Sequence, residues 1–245
     1  MIEQKKYVMI TYAMATGFFS LRRSDTTSKG SKSYLCPTPH CVKSALINQY
    51  AQEHNTDELV GFFEKIQPLS VYFCLPSKLV VNQTFYTQLK SKRKKAKKDL
   101  LEGEIEESFD STIMYKEYVY YDGDLTVIFD VSEWEESDIE SLIHTLSTIR
   151  YLGKKDSLIS YKSHRISKKI PEGIVIPLDD ADSINGFVIA LDDYYYHQRK
   201  SSKEYLEMLK KYSGYGSSSK RQFIPYLFPY RITASSRRYT LYQHI

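Results

Sequence analysis

Basic side chains suited to binding phosphate occur in three groups along the chain. They are Arg22, Arg23, Lys29 and Lys32 in an early Gly/Ser/Thr-rich stretch, Lys43 shortly afterwards, and the lysines of Gly153-Lys154-Lys155-Asp156-Ser157. Arginine presents a planar fork that matches phosphate geometry, and a Gly-Lys-Lys turn offers backbone amides beside two ammonium groups. The residue types therefore predict contacts to a sugar-phosphate backbone.

Charge is segregated along the chain, although the net charge of the 245 residues is only +4. Asp25 is the only acid between Gln4 and Tyr50, and no acid follows Glu207, where Lys and Arg alternate with Tyr. From Asp99 to Ile149 the balance reverses, and Lys116 is the only Lys or Arg. Such segregation lets a nearly neutral protein present one positive face, which binds phosphate by releasing counterions.

Several classes of protein and site are disfavoured by the sequence. No apolar stretch approaches the roughly 20 residues that cross a bilayer, and the N-terminus lacks a secretory signal, so we expect a cytoplasmic protein without membrane contact. The three cysteines, Cys36, Cys41 and Cys74, lack the second ligand pair of a zinc site. P-loop, dinucleotide and histidine-carboxylate metal motifs are missing, and no cofactor is predicted.

The elements that must position the basic residues follow from the apolar pattern. A β-rich run at 6–12 precedes the early basic loop, and Thr38-Pro39 is a helix start, since Thr caps free amides and Pro suits the first position. A second helix is predicted from Asp57 to Ile66, and a buried strand from Leu69 to Leu75.

Residues 77–121 have the character of an insertion, with seven bases between Lys90 and Lys98 followed at once by acids. Asp122-Gly123 suits a tight turn, so the flanking apolar runs are predicted to pair as a hairpin. Ser137 and Glu140 form a capping-box pattern ahead of an amphipathic helix that Gly153 would end, and a strand follows from Leu158.

The predicted order is strand, helix, strand, strand, helix, strand, the split arrangement of the ferredoxin-like fold. We therefore expect an α+β protein. Its first domain, 1–164, would be ferredoxin-like (RRM-like), with a thumb insertion at about 77–121, and residues 165–245 would form a small β-rich C-terminal domain. In this topology the loop after the first strand and the turn after the last helix can lie near one another.

Two short motifs resemble those of the Cas five family, the RAMP subunits that cap the 5′ handle of the guide RNA in CRISPR Cascade. Pro37-Thr38-Pro39, followed by Lys43 and Leu46, is similar to the family's helix start. Tyr151-Leu152-Gly153-Lys154, continuing to Ser157, is similar to its turn after an acidic helix. The resemblance spans roughly residues 5–162, and the C-terminal third matches only in being small and β-rich.

The resemblance implies a role and a set of contacts. A ferredoxin-like domain would grip the handle of the crRNA, and the thumb would pass between guide nucleotides. The residues implied as RNA contacts are Arg22, Arg23, Lys29, Lys32, Thr38, Lys43, Gly153, Lys154, Lys155 and Ser157, with Lys92, Arg93 and Lys94 on the thumb. The implied partners are a Cas seven type backbone subunit, a Cas eight type large subunit and, through the complex, target DNA, in an antiviral ribonucleoprotein.

Catalysis would be a different role from holding the guide, because one branch of the family cleaves precursor RNA with Tyr, Lys and His. Histidine is the residue best suited to acid and base roles near neutral pH, and His40 or His164 are candidates. Since a neighbouring tyrosine cannot be inferred for either, no enzymatic activity is predicted.

Two non-enzymatic functions compete with guide binding. A generic RNA-recognition module needs a Lys/Arg-Gly-aromatic run, which is missing from 125–129. A scaffold that binds no nucleic acid is disfavoured by the acid-free basic segments.

Overall fold

The computed structural model describes residues 5–26, 30–91, 109–195 and 221–245. Within these ranges the chain is a mixed α/β protein, rich in sheet. The three α-helices are α1 Pro39–Tyr50, α2 Thr56–Ile66 and α3 Glu136–Thr148. The strands are β1 Tyr7–Met14, β2 Phe18–Phe19, β3 Gly30–Ser31, β4 Val71–Cys74, β5 Lys78–Ser91, β6 Phe109–Tyr121, β7 Leu125–Asp130, β8 Ile159–Ser167, β9 Ile176–Pro177, β10 Phe187–Tyr194, β11 Arg221–Phe228, β12 Tyr230–Ser235 and β13 Tyr239–His244.

The first sheet has the strand order β4-β7-β1-β8, and every neighbouring pair is antiparallel. Successive side chains of β1 point to opposite faces, as the pleat requires. Val8, Ile10 and Tyr12 join the main core together with residues of all three helices, whereas Tyr7 and Met9 join a smaller cluster on the other face. This sheet therefore separates two apolar layers and fixes the start of β8 beside the end of β1.

A second sheet runs in the order β12-β13-β5-β6-β2, and β3 pairs with β6 in parallel. Its longest pair, β5 with β6, is antiparallel from Leu79 opposite Tyr121 to Ser91 opposite Phe109. A third sheet has the order β10-β11-β9. The described residues of the C-terminal part, 165–195 and 221–245, are rich in strand. However, β13 pairs with β5 from the first two thirds of the chain, and Tyr226 and Phe228 share the main core.

The helix starts agree with the local sequence signals in one case and depart from them in another. Thr38 caps α1, and its hydroxyl accepts a hydrogen bond from the amide of Cys41 at 3.2 Å, as predicted. The capping box predicted at Ser137 is wrong. Helix α3 begins at Glu136 after an N-cap residue, Glu135, that makes no side-chain cap, so Ser137 and Glu140 lie inside the helix.

The hairpin predicted at Asp122-Gly123 is also wrong. Gly123 does take a positive φ, of 139°, but β6 pairs with β5 while β7 pairs with β1 and β4. The turn carries the chain from one sheet to another, because each strand has a longer or more apolar partner elsewhere. The helix end predicted at Gly153 is displaced as well, since α3 ends at Thr148 and Gly153 lies in the turn that follows.

Candidate nucleic-acid interface

Two distant parts of the chain meet in a contact that we call the loop–turn junction, formed by residues 19–23 and 153–157. The amide of Ser20 donates to the hydroxyl of Ser157 at 2.9 Å, and that hydroxyl donates to the carbonyl of Ser20 at 3.3 Å. Ser157 is fully buried between them. The early basic loop and the Gly-Lys-Lys turn, separated by 137 positions at this contact, are therefore neighbours on the molecule.

Gly153 allows this close approach. Its φ is +85°, a conformation that residues with a Cβ rarely adopt. A Cβ at this position would lie 3.3 Å from Leu21 Cβ, Phe19 Cε2 and the carbonyl oxygen of Ser20. The turn closes through the amide of Ser157, which donates to the carbonyl of Lys154 at 2.9 Å. A side chain at 153 would therefore push the loop away from the turn.

Positive charge is concentrated at the junction. The pKa of Lys154 is lowered first by partial burial and then by the neighbouring charges of Lys116 and Arg22, while Asp156 acts in the opposite direction. Lys116 forms an ion pair with Asp156, and its ammonium lies 4.4 Å from the centroid of the Tyr118 ring. Arg22, Lys116 and Lys154 are thus close enough for their charges to repel one another, and Asp156 offsets this repulsion only in part.

The other basic residues of the early loop are placed differently. Arg23 is half-buried, and its Nε and Nη2 donate to the two carboxylate oxygens of Asp25 at 3.0 and 2.6 Å. The charge of Arg23 is therefore already paired with a carboxylate. Lys32 is exposed next to the Arg22 and Ser33 bridge, and Lys155 is exposed in the turn. Lys29 lies outside the described residues.

Thr38 and Lys43 cannot contact RNA in this structure. Thr38 is buried, and its hydroxyl is used by the α1 cap. Lys43 has a relative exposure of 0%, and its Nζ donates to the Gln67 carbonyl and to Asp193 Oδ2, both at 2.8 Å. Burial lowers the pKa of Lys43 and raises that of Asp193. Both implied contacts are corrected, because these residues stabilise the interior. The carboxylate of Asp193 and the carbonyl of Gln67 together satisfy the buried ammonium of Lys43.

Ser157 is also an internal residue, which positions the turn and is too deeply buried to contact RNA itself. Lys92, Arg93 and Lys94 lie outside the described residues, so their predicted place on a thumb is not tested. Lys116 was missed as a member of the site. Its isolation as the one Lys or Arg in an acidic segment was visible in the sequence, but its neighbours belong to a turn about 40 positions away.

The two candidate catalytic histidines differ in access. His40 is 7% exposed and stacks on Tyr194, with ring centroids 4.5 Å apart. His164 is exposed on β8, and its Nδ1 lies 2.7 Å from the hydroxyl of Tyr161. Lys162, which lies between Tyr161 and His164 in the sequence, forms an ion pair with Asp124 at 2.7 Å. A tyrosine therefore does accompany His164, a proximity that the sequence did not reveal because β8 is irregular opposite Thr11 and Tyr12.

Metal ligation and membrane spanning have no candidates in the described part of the chain. No group of three or more His, Cys, Asp or Glu residues there could hold a metal ion. Within the same ranges, every helix is too short or too polar to span a bilayer.

Comparison with known proteins gives a relative whose name matches the family suggested by the motifs. A protein of Archaeoglobus fulgidus named CRISPR-associated protein Cas5 is 24% identical over 200 residues, covering 80% of this chain and 81% of that protein. The resemblance to the Cas five family is thus confirmed by a homologue of that name. No family model matches the chain.

Two solved structures are similar at lower levels. A crystal structure of a CRISPR protein from Archaeoglobus fulgidus has a TM-score of 0.49 and 14% identity, with 98% of this chain and 92% of that one covered. A chain of a CRISPR RNA-guided surveillance complex has a TM-score of 0.45 and 10% identity, with 90% and 88% covered.

Proposed function

We propose that this chain, a homologue of a protein named CRISPR-associated protein Cas5, is a non-catalytic subunit of CRISPR Cascade that holds the 5′ handle of the crRNA at the loop–turn junction. The observation that carries the proposal is the contact between Ser20 and Ser157. It brings Arg22 and the Gly153-Lys154-Lys155 turn onto one surface. An RNA phosphate at this surface would meet charges contributed by both stretches.

The electrostatics of the junction favour an anion. Burial lowers the pKa of Lys154 most, and the charges of Lys116 and Arg22 lower it further, so part of the cost of protonating this lysine comes from its cationic neighbours. A phosphate placed among these groups would remove that penalty and accept charge-assisted hydrogen bonds. Lys155, exposed beside them, adds a further donor. A phosphate group would thus offset the repulsion that Asp156 leaves within the site.

The wider architecture supports the same role. The antiparallel order β4-β7-β1-β8, with helices joining β1 to β4 and β7 to β8, is the order of a ferredoxin-like sheet, and we assign the first domain to that fold. The long β5 and β6 pair would be the thumb. Its exposed apolar side chains, Phe85, Leu89 and Ile113, suit contact with the backbone (Cas seven type) subunit. The large subunit and target DNA would be reached through the assembled complex, which would act in the cytoplasm in antiviral defence.

Charge reversal in the turn tests the proposal. The variant Lys154→Glu with Lys155→Glu should lose most of the RNA that is recovered with the purified protein. The matched control is Lys168→Glu with Lys169→Glu, an exposed lysine pair just beyond the other end of β8. The two pairs thus lie beyond opposite ends of a nine-residue strand, which at about 3.3 Å per residue is roughly 30 Å long, and the change in net charge is the same. RNA should be retained by this control.

Equal RNA loss in both variants would show that binding depends on net charge alone, and equal retention would remove the junction from the interface. Circular dichroism should show the wild-type fold in both variants, since Lys155, Lys168 and Lys169 are exposed and Lys154 is partly so.

Metal-independent RNA cleavage is the second candidate, and the contact between Tyr161 and His164 favours it. A histidine held by a tyrosine hydroxyl on an exposed strand could act as base or acid toward a 2′-hydroxyl. We expect purified protein to leave repeat RNA intact in the presence of a chelator. Specific cleavage that is lost in His164→Ala, and retained in a variant at the distant exposed His144, would replace the holding role by an enzymatic one.

A further inference from the structure

Strand β6 contacts both arms of the loop–turn junction, and its residue Glu117 holds the early loop. The hydroxyl of Ser20 donates to the carbonyl of Glu117 at 3.0 Å, and the amide of Ser33 donates to the Glu117 carboxylate at 2.8 Å. Ser33 in turn forms a β-bridge with Arg22. The short strands β2 and β3, before and after Arg22 in the chain, both pair with β6. The position of the early loop is therefore determined by β6.

The preceding residue of the same strand, Lys116, holds the turn. Its ammonium forms an ion pair with Asp156, two positions after Lys154. The side chain of Lys116 is only 11% exposed, and the ring of Tyr118 lies 4.4 Å from the ammonium. Burial alone would lower the pKa of Lys116, but the hydrogen bonds with Asp156 and Tyr118 raise it overall, so the ammonium stays charged. This buried cation is thus directed at Asp156 rather than at solvent.

Asp156 is an acid at a surface that we propose to bind phosphate. A carboxylate there repels the phosphate, so its presence at the junction weakens RNA binding unless it has a second effect. One of its oxygens accepts the hydrogen bond from Lys116. The other, Oδ1, is buried and has no hydrogen-bond partner among the described residues. Without Lys116 a buried, ionised oxygen would have no compensating charge, and the turn would have to move to expose it to water.

We infer that Lys116 and Glu117 are positioning residues for RNA binding. Strand β6 holds the early loop through Glu117 and the Gly-Lys-Lys turn through Lys116 and Asp156, which fixes the separation of the two arms. The inference rests on the proposed function, since this separation matters only if one RNA backbone contacts both arms. Neither Lys116 nor Asp156 contacts the RNA; they act through the placement of Lys154.

The sign of the effect of Asp156→Ala tests the inference. Removing an acid from a phosphate-binding surface should tighten RNA binding if only charge matters. We expect the opposite, a loss of roughly tenfold in the affinity of the full chain for the RNA recovered with it, the value of one charge-assisted hydrogen bond. The slope of log affinity against log salt should be shallower by about 0.7, because Lys154 no longer meets its phosphate. Glu117→Ala, which releases the early loop, should also weaken binding.

Asp138→Ala is the matched control. It too removes an acid and breaks an ion pair, the 2.6 Å contact between Asp138 and Lys65. Asp138 lies near the start of α3, whereas the turn follows the end of that helix. A similar loss of thermal stability is expected for Asp138→Ala and Asp156→Ala, but the control should keep the wild-type RNA affinity and the wild-type salt slope.

A double-mutant cycle shows whether Lys116 acts through Asp156. Lys116→Met should weaken RNA binding about as much as Asp156→Ala does, and the double variant should bind no more weakly than either single variant. Losses that add in the double variant would show that Lys116 contacts the RNA itself, and the inference would be wrong.

Failure of the inference and failure of the proposed function are distinguishable. If Asp156→Ala or Glu117→Ala binds RNA as tightly as wild type or more tightly, while Lys154→Glu with Lys155→Glu loses it, the positioning role is refuted and the proposed function survives. If Lys154→Glu with Lys155→Glu binds as tightly as wild type, the proposed function fails, and the inference fails with it.

Discussion

Replacing Gly153 by alanine should both destabilise the protein and weaken RNA binding. The backbone at this position has a φ of +85°, which costs a residue with a Cβ about 1–2 kcal/mol. The new methyl group would also lie 3.3 Å from three atoms of the early loop, one of them the backbone oxygen of Ser20. Either the turn or the loop must then move. A loss of about 2 kcal/mol corresponds to a thermal midpoint roughly 4–8 °C lower for a chain of this size.

Gly61 provides a matched control for the alanine substitution. It lies within α2 at an exposed position, and a Cβ there would meet no atom within 4 Å. Gly61→Ala should therefore stabilise the protein, by about 0.5–1 kcal/mol. Thermal unfolding followed by the fluorescence of the single tryptophan, Trp134, measures both variants. A Gly153→Ala protein with wild-type stability and wild-type RNA affinity would refute the close approach of loop and turn.

Two further predictions concern the lysines. Lys43→Met leaves Asp193 buried without its charged partner, so the free energy of unfolding in urea should fall by about 3–5 kcal/mol. The RNA affinity of the folded protein should not change. Lost affinity at wild-type stability would restore Lys43 as an RNA contact. The pKa of Lys154 is lowered by burial and by the charges of Lys116 and Arg22. A bound phosphate would raise this pKa, so RNA should bind the protonated form of the lysine more tightly. Affinity should fall as pH rises through this lowered pKa, and Lys154→Arg should flatten the profile, whereas parallel profiles would show that Lys154 does not contact RNA.

Local sequence signals predicted those elements whose start or burial pattern is determined by residues close together in the sequence. Thr38-Pro39 marked the start of α1 because the cap and the fixed φ of proline act within one turn. The apolar run at 6–12 marked β1 because alternate residues bury on both faces of the sheet. The proximity of the early loop to the Gly-Lys-Lys turn also followed, since the order of elements constrains where loops can lie.

Pairings between distant residues could not be read from the sequence. Asp122-Gly123 favoured a hairpin, but the partner of β6 is β5, and nothing near the turn identifies it. Lys43 resembled a surface base because Asp193, which makes its burial possible, is 150 positions away.

The dependence of RNA affinity on salt measures the central claim most directly, because it counts the phosphates held by the protein. For single-stranded RNA the slope of log affinity against log salt is about −0.7 per phosphate contact. If Lys154 and Lys155 each neutralise one phosphate beside Arg22, the double glutamate variant should have a slope shallower by roughly 1.4 than wild type and than the Lys168, Lys169 control. Three equal slopes would contradict an RNA backbone held at the loop–turn junction.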